Sequence, residues 1–166
     1  MDIHFAKIRQ VKSPSHGTEK SGGWDFFIPD YNKKFEEDFN NKNEVSFIEN
    51  GRITVPAWSD ILIPSGIKVN LPEYWHLTAM NKSGIATKSK LIYGAQLIDC
   101  DYEGEIHIHL INTSNKPVKL DFGMKAIQFV PYYQPQLQMV EKPIEKLYPE
   151  GTSERGEGGF GSTGLH

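Results

Sequence analysis

Cysteine is nearly missing from this chain: of 166 residues, only Cys100 carries a thiol. A single thiol cannot close an internal disulfide, so no disulfide framework holds the fold, and a reducing compartment is expected. Charge of either sign is also not in excess. Eighteen Lys and Arg stand against 21 Asp and Glu, a net charge of −3 at pH 7. That balance gives no global field to draw the chain to nucleic acid or to an anionic membrane. Long apolar runs are absent as well; none approaches the roughly 20 residues of a membrane span. The opening residues, Met1 to Lys7, have no apolar signal core, and together with the thiol content this predicts a cytoplasmic protein, or one of the host cytoplasm if viral. At this length one domain with a sizeable core is expected.

Glycine and proline are plentiful instead. Fifteen glycines and ten prolines divide the sequence into short pieces. Between them the apolar residues alternate. Ile106, Ile108 and Leu110 fall on one face of an extended segment, and Glu105, His107 and His109 on the other. Residues 61–63, 67–69, 74–80 and 126–130 also read as strands, and 64–66, 81–84 and 121–123 as turns. Many short strands with frequent turns predict an all-β sandwich or jelly roll and not a parallel α/β sheet. The predicted core is residues 1–130. Residues 30–52 are dense in charge and Asn, with Phe35 and Phe39 four apart, and read as a surface excursion holding at most a helical turn or two. Residues 131–154 carry Pro131, Pro135, Pro143 and Pro149 and read as an extended arm. Its Tyr132, Tyr133, Leu137, Met139, Val140, Ile144 and Leu147 need burial that such an arm does not find on itself, which predicts crossing to a neighbouring subunit. Residues 155–166 form a glycine-rich tail expected to stay mobile until something binds.

Four constellations and the tail carry chemistry. Gly94-Ala-Gln96-Leu97-Ile98-Asp99-Cys-Asp101-Tyr102-Glu-Gly104 is an apolar strand ending in two acids, an aromatic and a glycine turn. Acids at i and i+2 face one side of an extended chain; they could hold a metal, or one could raise the pKa of the other. The bland reading is an acidic hairpin. Asn81-Lys82-Ser83-Gly84 offers a cation, a hydroxyl and a bare backbone, a small phosphate cradle, although it is not a P-loop. Gly123 to Gln128 places an amide inside an apolar run, and Gly22-Gly23-Trp24-Asp25 an acid at a strand start. In the tail, Arg155 offers a fork of donors suited to phosphate, and Phe160 can lie flat on a ring.

In this order, and closed by Arg155-Gly-x-x-Gly-Phe160-Gly161-Ser162-Thr163-Gly164, these segments resemble the homotrimeric dUTPase family over about residues 22–164. The resemblance implies a jelly-roll-like β-barrel or sandwich whose C-terminal arm is exchanged between subunits, with three active sites at the subunit junctions. It implies hydrolysis of dUTP to dUMP and pyrophosphate, with Asp99 as the general base for a water that attacks the α-phosphorus. Such a reaction limits uracil in DNA and supplies dUMP for thymidylate synthesis. Tyr102 would lie beneath the deoxyribose, and the backbone of Gly94, Gln96, Leu97 and Ile98 would read the uracil edge. Lys82, Ser83, Gly84 and Gln128 would bind phosphate. Phe160 and Gly161 would close over the base, and Arg155, Ser162 and Thr163 would clamp the outer phosphates. The implied cofactor is Mg²⁺, held by the triphosphate and water with no direct protein ligand, and Asp25 would stand near that hydrated metal. Lys82 departs from the family's usual Arg, keeping the charge but losing the bidentate fork.

Three other readings were weighed. A dCTP deaminase shares the fold, but its catalytic Glu would align near His109 of this chain. A regulatory module would bind dUTP and dock a protein partner through residues 30–52, and could coexist with catalysis. A cupin-like metal protein would use His107 and His109, which share a strand face, but no third or fourth ligand matches them.

Overall fold

The computed structural model describes residues 1–45, 47–148, 151, 153, 156 and 158. Two compact units divide it, Met1–Pro135 and Gln136–His166. The first is built almost wholly from antiparallel strands. In chain order they are β1 (His4–Lys7), β2 (Ser15–His16), β3 (Trp24–Phe27), β4 (Phe47–Glu49), β5 (Arg52–Val55), β6 (Asp60–Pro64), β7 (Ile67–Asn70), β8 (Trp75–Met80), β9 (Leu91–Tyr93), β10 (Leu97–Ile98), β11 (His107–Asn112), β12 (Val118–Asp121) and β13 (Lys125–Tyr133). An α-helix, α1 (Lys33–Asn40), lies between β3 and β4, and a short π-helix, Ile85–Ser89, between β8 and β9. The largest sheet runs β10-β8-β13-β3-β2; two three-stranded sheets run β6-β11-β9 and β12-β5-β4, and β1 pairs with β7. This is the jelly-roll-like β architecture that the short alternating strands predict.

Alternation decides which side chains fill the interior. On β11, Ile108 and Leu110 are buried and His107 and His109 face the other way. The neighbouring strand β6 adds Ile61 and Ile63, and the other sheets contribute Ile53 and Val55 from β5, Leu77 and Ala79 from β8, and Ile127 and Phe129 from β13. Asn112, buried at the end of the same inward row, is satisfied: its Nδ2 donates to the carbonyls of Val55, Pro56 and Lys116, and its Oδ1 accepts from the Ser114 N–H. Burying such an amide unpaired would cost several kcal/mol.

Residues 30–52 are the mostly exposed excursion expected of them, with one short helix, but two of their side chains enter the core. Asn32 caps α1 by accepting from the Phe35 N–H at 2.8 Å, and Phe35 and Phe39 are fully buried with their rings stacked at 5.9 Å. The edge of Phe122 meets Phe35 at 5.6 Å. Two aromatics one helical turn apart make a narrow apolar stripe, enough to seat the helix while its charged residues stay in water. The end of the segment is a hairpin. Asn50 and Gly51 both take positive φ, 50° and 72°, the geometry that joins two strands in a two-residue turn, and β4 and β5 pair across it.

In the second unit, the described residues hold one short 3₁₀ turn, Ile144–Lys146. Leu137, Met139, Val140, Ile144 and Tyr148 are all exposed.

Candidate active site

The acidic hairpin hangs from the edge of the largest sheet. Leu97 and Ile98 of β10 pair with Thr78 and Leu77 of β8, so Asp99 follows at the level of His76. Its carboxylate is 56% exposed, with Oδ1 3.4 Å from His76 Nδ1. That imidazole nitrogen is buried and makes no hydrogen bond. The chain then turns back, the Tyr102 N–H donating to the Asp99 carbonyl at 3.1 Å. The Tyr102 hydroxyl donates to the Glu105 carbonyl at 2.9 Å. Gly104 is required here, because any Cβ would overlap the Tyr102 ring. The ring is therefore pinned at its tip and backed by glycine, yet remains 41% exposed, three residues from an open carboxylate.

The root of this hairpin is tied from three sides. The Ala79 N–H donates to the Gln96 carbonyl at 2.7 Å and the Gly94 N–H to the His109 carbonyl at 2.9 Å. The Ala95 N–H donates to His109 Nδ1 at 2.8 Å. Beyond the tip, Glu105 receives Arg9 through both oxygens, at 2.8 and 3.0 Å, while Arg9 also reaches Asp38 at 2.6 Å. The two carboxylates hold the Arg9 guanidinium above its ordinary pKa, Glu105 most strongly and against the opposing effect of burial. A bidentate arginine shared by β11's lead-in and α1 fixes where the hairpin leaves the core.

The cradle lies at the far end of the same sheet face. Gln128 on β13 stands opposite both Asp25 on β3 and Met80 on β8, and Lys82 to Gly84 follow directly. The Gln128 amide donates to the Asn81 carbonyl at 3.2 Å, and Asn81 Oδ1 accepts from the Tyr93 N–H at 2.9 Å. Asp25 is 4% exposed. Its two oxygens take two ammonium groups, Lys82 at 2.5 Å and Lys125 at 2.7 Å. Burial alone would raise the Asp25 carboxyl; hydrogen bonds from Lys125 and then Lys82 outweigh it and hold the group below the ordinary carboxylate range. The expectation for Asp25 was a place beside a hydrated metal. In this structure it is the anion of a two-lysine ion pair, and Lys82, expected on phosphate, is one of its partners.

Along β8 the step from His76 to Met80 is four residues, about 13 Å at the rise of a strand. The acidic hairpin thus stands beside the His76 end of β8, and the Lys82–Gly84 turn follows its Met80 end. Arg155, Phe160, Gly161, Ser162 and Thr163 lie outside the described residues. Sequence reasoning missed His76, Lys125 and the Arg9–Glu105–Asp38 cluster. Lys125 stood inside a quoted motif, but nothing in the sequence pointed it at Asp25, 100 positions away. Among the described residues, no group of three His, Cys, Asp or Glu side chains converges as a metal site would require. No helix among them is long and apolar enough to cross a membrane.

An acid-and-tyrosine hairpin at one edge of the largest sheet and a lysine-serine-glycine turn after the end of β8 are the two features that this jelly-roll-like unit presents. The dUTPase family model matches residues 49–164. The chain is 32% identical to the deoxyuridine 5'-triphosphate nucleotidohydrolase of Rickettsia prowazekii, over 99% of this chain and 100% of that protein. It is 39% identical to that of Dictyoglomus turgidum, over 63% of this chain and 69% of that protein. The fold is similar to that of the Staphylococcus bacteriophage 80alpha dUTPase solved with dUPNHPP, with a TM-score of 0.72 at 19% identity over 99% of both chains. It is also similar to native EIAV dUTPase, with a TM-score of 0.62 at 18% identity over 88% of this chain and all of that one. The chain belongs to the dUTPase family.

Proposed function

We propose that this protein hydrolyses dUTP to dUMP and pyrophosphate, and that its site is completed between copies of the chain as a homotrimer. The observation that carries this reading is the exposed Asp99 carboxylate three residues from the pinned, open-faced Tyr102 ring, in a chain of the dUTPase family. Asp99 takes the proton of one held water as that water attacks the α-phosphorus. Tyr102 supports the deoxyribose, and a ribose 2'-hydroxyl would meet the ring. Backbone groups from Gly94 to Ile98 read the base edge; a wrong base leaves buried donors or acceptors unpaired, a penalty that separates substrates by about 10⁴–10⁵.

Ser83, Gly84 and Gln128 bind phosphate, with Lys82 and Lys125 supplying positive charge beside them. Phosphoryl chemistry needs this positioning and neutralisation more than covalent catalysis. A site shared by subunits, in which one nucleotide uses the hairpin of one copy and the cradle of another, is what the family resemblance implies. Pro131, Tyr132 and Tyr133, expected in the arm, instead end β13 and pair with β8 of their own chain, so it is the chain beyond Pro135 that would cross between copies and bring Arg155 to Thr163 over the bound nucleotide as a lid. Mg²⁺ arriving with the triphosphate would offset charge on its oxygens. Asp25 does not fit as a ligand for it, with both carboxylate oxygens held by lysines, and no step is routed through a metal there. A docking role for residues 30–52 finds little support, since Phe35 and Phe39 already fill this chain's own core.

The test is incubation with each of the four usual dNTPs and dUTP in Mg²⁺, following pyrophosphate. Release from dUTP alone is expected. Asp99→Asn should lower turnover by about 10³-fold or more while a non-hydrolysable dUTP analogue still binds, because the base is lost and the cradle kept. Unchanged turnover in this variant removes Asp99 from the role.

A further inference from the structure

His109 makes contacts that neither the family resemblance nor the proposed chemistry uses. Both ring nitrogens are engaged. The Ala95 N–H donates to Nδ1 at 2.8 Å, and a backbone amide can only donate, so Nδ1 carries no proton. The proton sits on Nε2, which donates to Asp60 Oδ2 at 2.8 Å. The ring also fills the space behind Gly94, where any Cβ would overlap it. The Gly94 N–H closes the arrangement on the His109 carbonyl. His109 thus holds two successive residues at the root of the Gly94–Ile98 hairpin, Ala95 through its imidazole and Gly94 through its main-chain carbonyl, and Asp60 on β6 holds the imidazole.

We propose that His109 is a positioning residue for base recognition: its neutral Nδ1 fixes the Ala95 backbone while its ring packs behind Gly94, so that the hairpin meets the nucleobase pre-formed. The inference rests on the reading of that hairpin as the uracil reader. It deepens that reading by naming what sets the hairpin's geometry and by making that geometry depend on a proton. Protonation of Nδ1 turns two donors toward each other and breaks the bond to Ala95. On this face of the sheet the other titratable groups are Asp60 on β6 and His107 on β11. Asp60 favours the charged ring, and the Ala95 amide favours the neutral one. His107 sits two residues away with Nδ1 on the Glu105 carbonyl, and a charge there would oppose a second one at His109. β9 brings Ile92 to this face, with Gly94 just beyond its end, and neither titrates.

Two variants test it in the full-length protein. His109→Phe keeps the ring behind Gly94 and removes both nitrogens. His109→Asn puts an oxygen close to the Nδ1 position and cannot titrate. Losing one hydrogen bond that orders a recognition loop is expected to raise KM for dUTP about tenfold in His109→Phe, with kcat within about twofold. His109→Asn should recover most of the KM. In the wild type, KM should rise several-fold on acidification, and in His109→Asn that rise should vanish. A KM in His109→Phe equal to wild type, or an acid rise that persists in His109→Asn, overturns the proposal.

Hydrogen exchange gives a readout that does not need turnover. Protection of the Ala95 amide should fall on acidification in the wild type and stay constant in His109→Asn. Constant protection in both proteins also overturns the proposal. A wild type that hydrolyses no dUTP, but whose Ala95 protection follows the proton, would instead overturn the assignment of function and leave the hairpin coupling standing.

Discussion

Replacing Asp25 with Asn probes the least solvent-exposed charge in the cradle. The amide keeps the shape and one acceptor oxygen but removes the charge that two ammonium groups share. At 2.7 Å and an effective dielectric near 20, each pair has a gross Coulomb attraction of about 6 kcal/mol. Most of that is offset by taking the carboxylate out of water; breaking a buried pair typically costs about 3–5 kcal/mol. The Lys82 and Lys125 side chains are 24% and 44% exposed, so both can turn partly back to solvent. The loss expected at pH 7 is therefore about 2–3 kcal/mol, or roughly 5–10 °C in Tm for a domain of this size.

The pH dependence has a definite sign. The folded-state pKa of Asp25 lies below its unfolded value, so its stabilisation is complete above an unfolded pKa of about 4 and fades as pH falls through the lowered folded value. The gap between wild type and Asp25→Asn should thus be full at neutral pH and shrink in strong acid. Urea unfolding at fixed protein concentration, at about pH 7 and about pH 3, measures it directly. Equal stability at neutral pH, or a gap that does not narrow in acid, would refute the reasoning.

Other perturbations reach different parts of the molecule. Phe39→Ala should cost about 3–5 kcal/mol in urea unfolding, the usual price of emptying a fully buried aromatic site; a loss under about 1 kcal/mol would mean that α1 is not part of the core. Deleting residues 155–166 should leave the assembly size unchanged by light scattering but lower kcat/KM by about 10²-fold or more. Full turnover by the truncated protein would remove the tail from the site.

The acidic hairpin was legible because its residue types and spacing are dense within eleven positions, and the structure sets Tyr102 and Gly104 against each other as that spacing requires. The strand readings held for a similar reason: alternation along β11 is a local property, and burial follows it. The segment 30–52 was legible as a charged, exposed excursion with a helical turn or two; what its composition hid is that Phe35 and Phe39 seat α1 in the core. Asp25 and Lys82 were both singled out, yet their pairing was not visible, since 57 positions separate them.

By itself the sequence determined the periodicities, the turns and the motif order, and these suffice for an all-β fold of the dUTPase family, because each depends on residues close together in the chain. Only the tertiary structure decided that Asp25 belongs to two lysines, that the Ala95 N–H meets His109 Nδ1, and that the acidic hairpin hangs beside β8. Those outcomes depend on which strands become neighbours and in what register, and register is set by the collective burial of the core and not by any short stretch of residues.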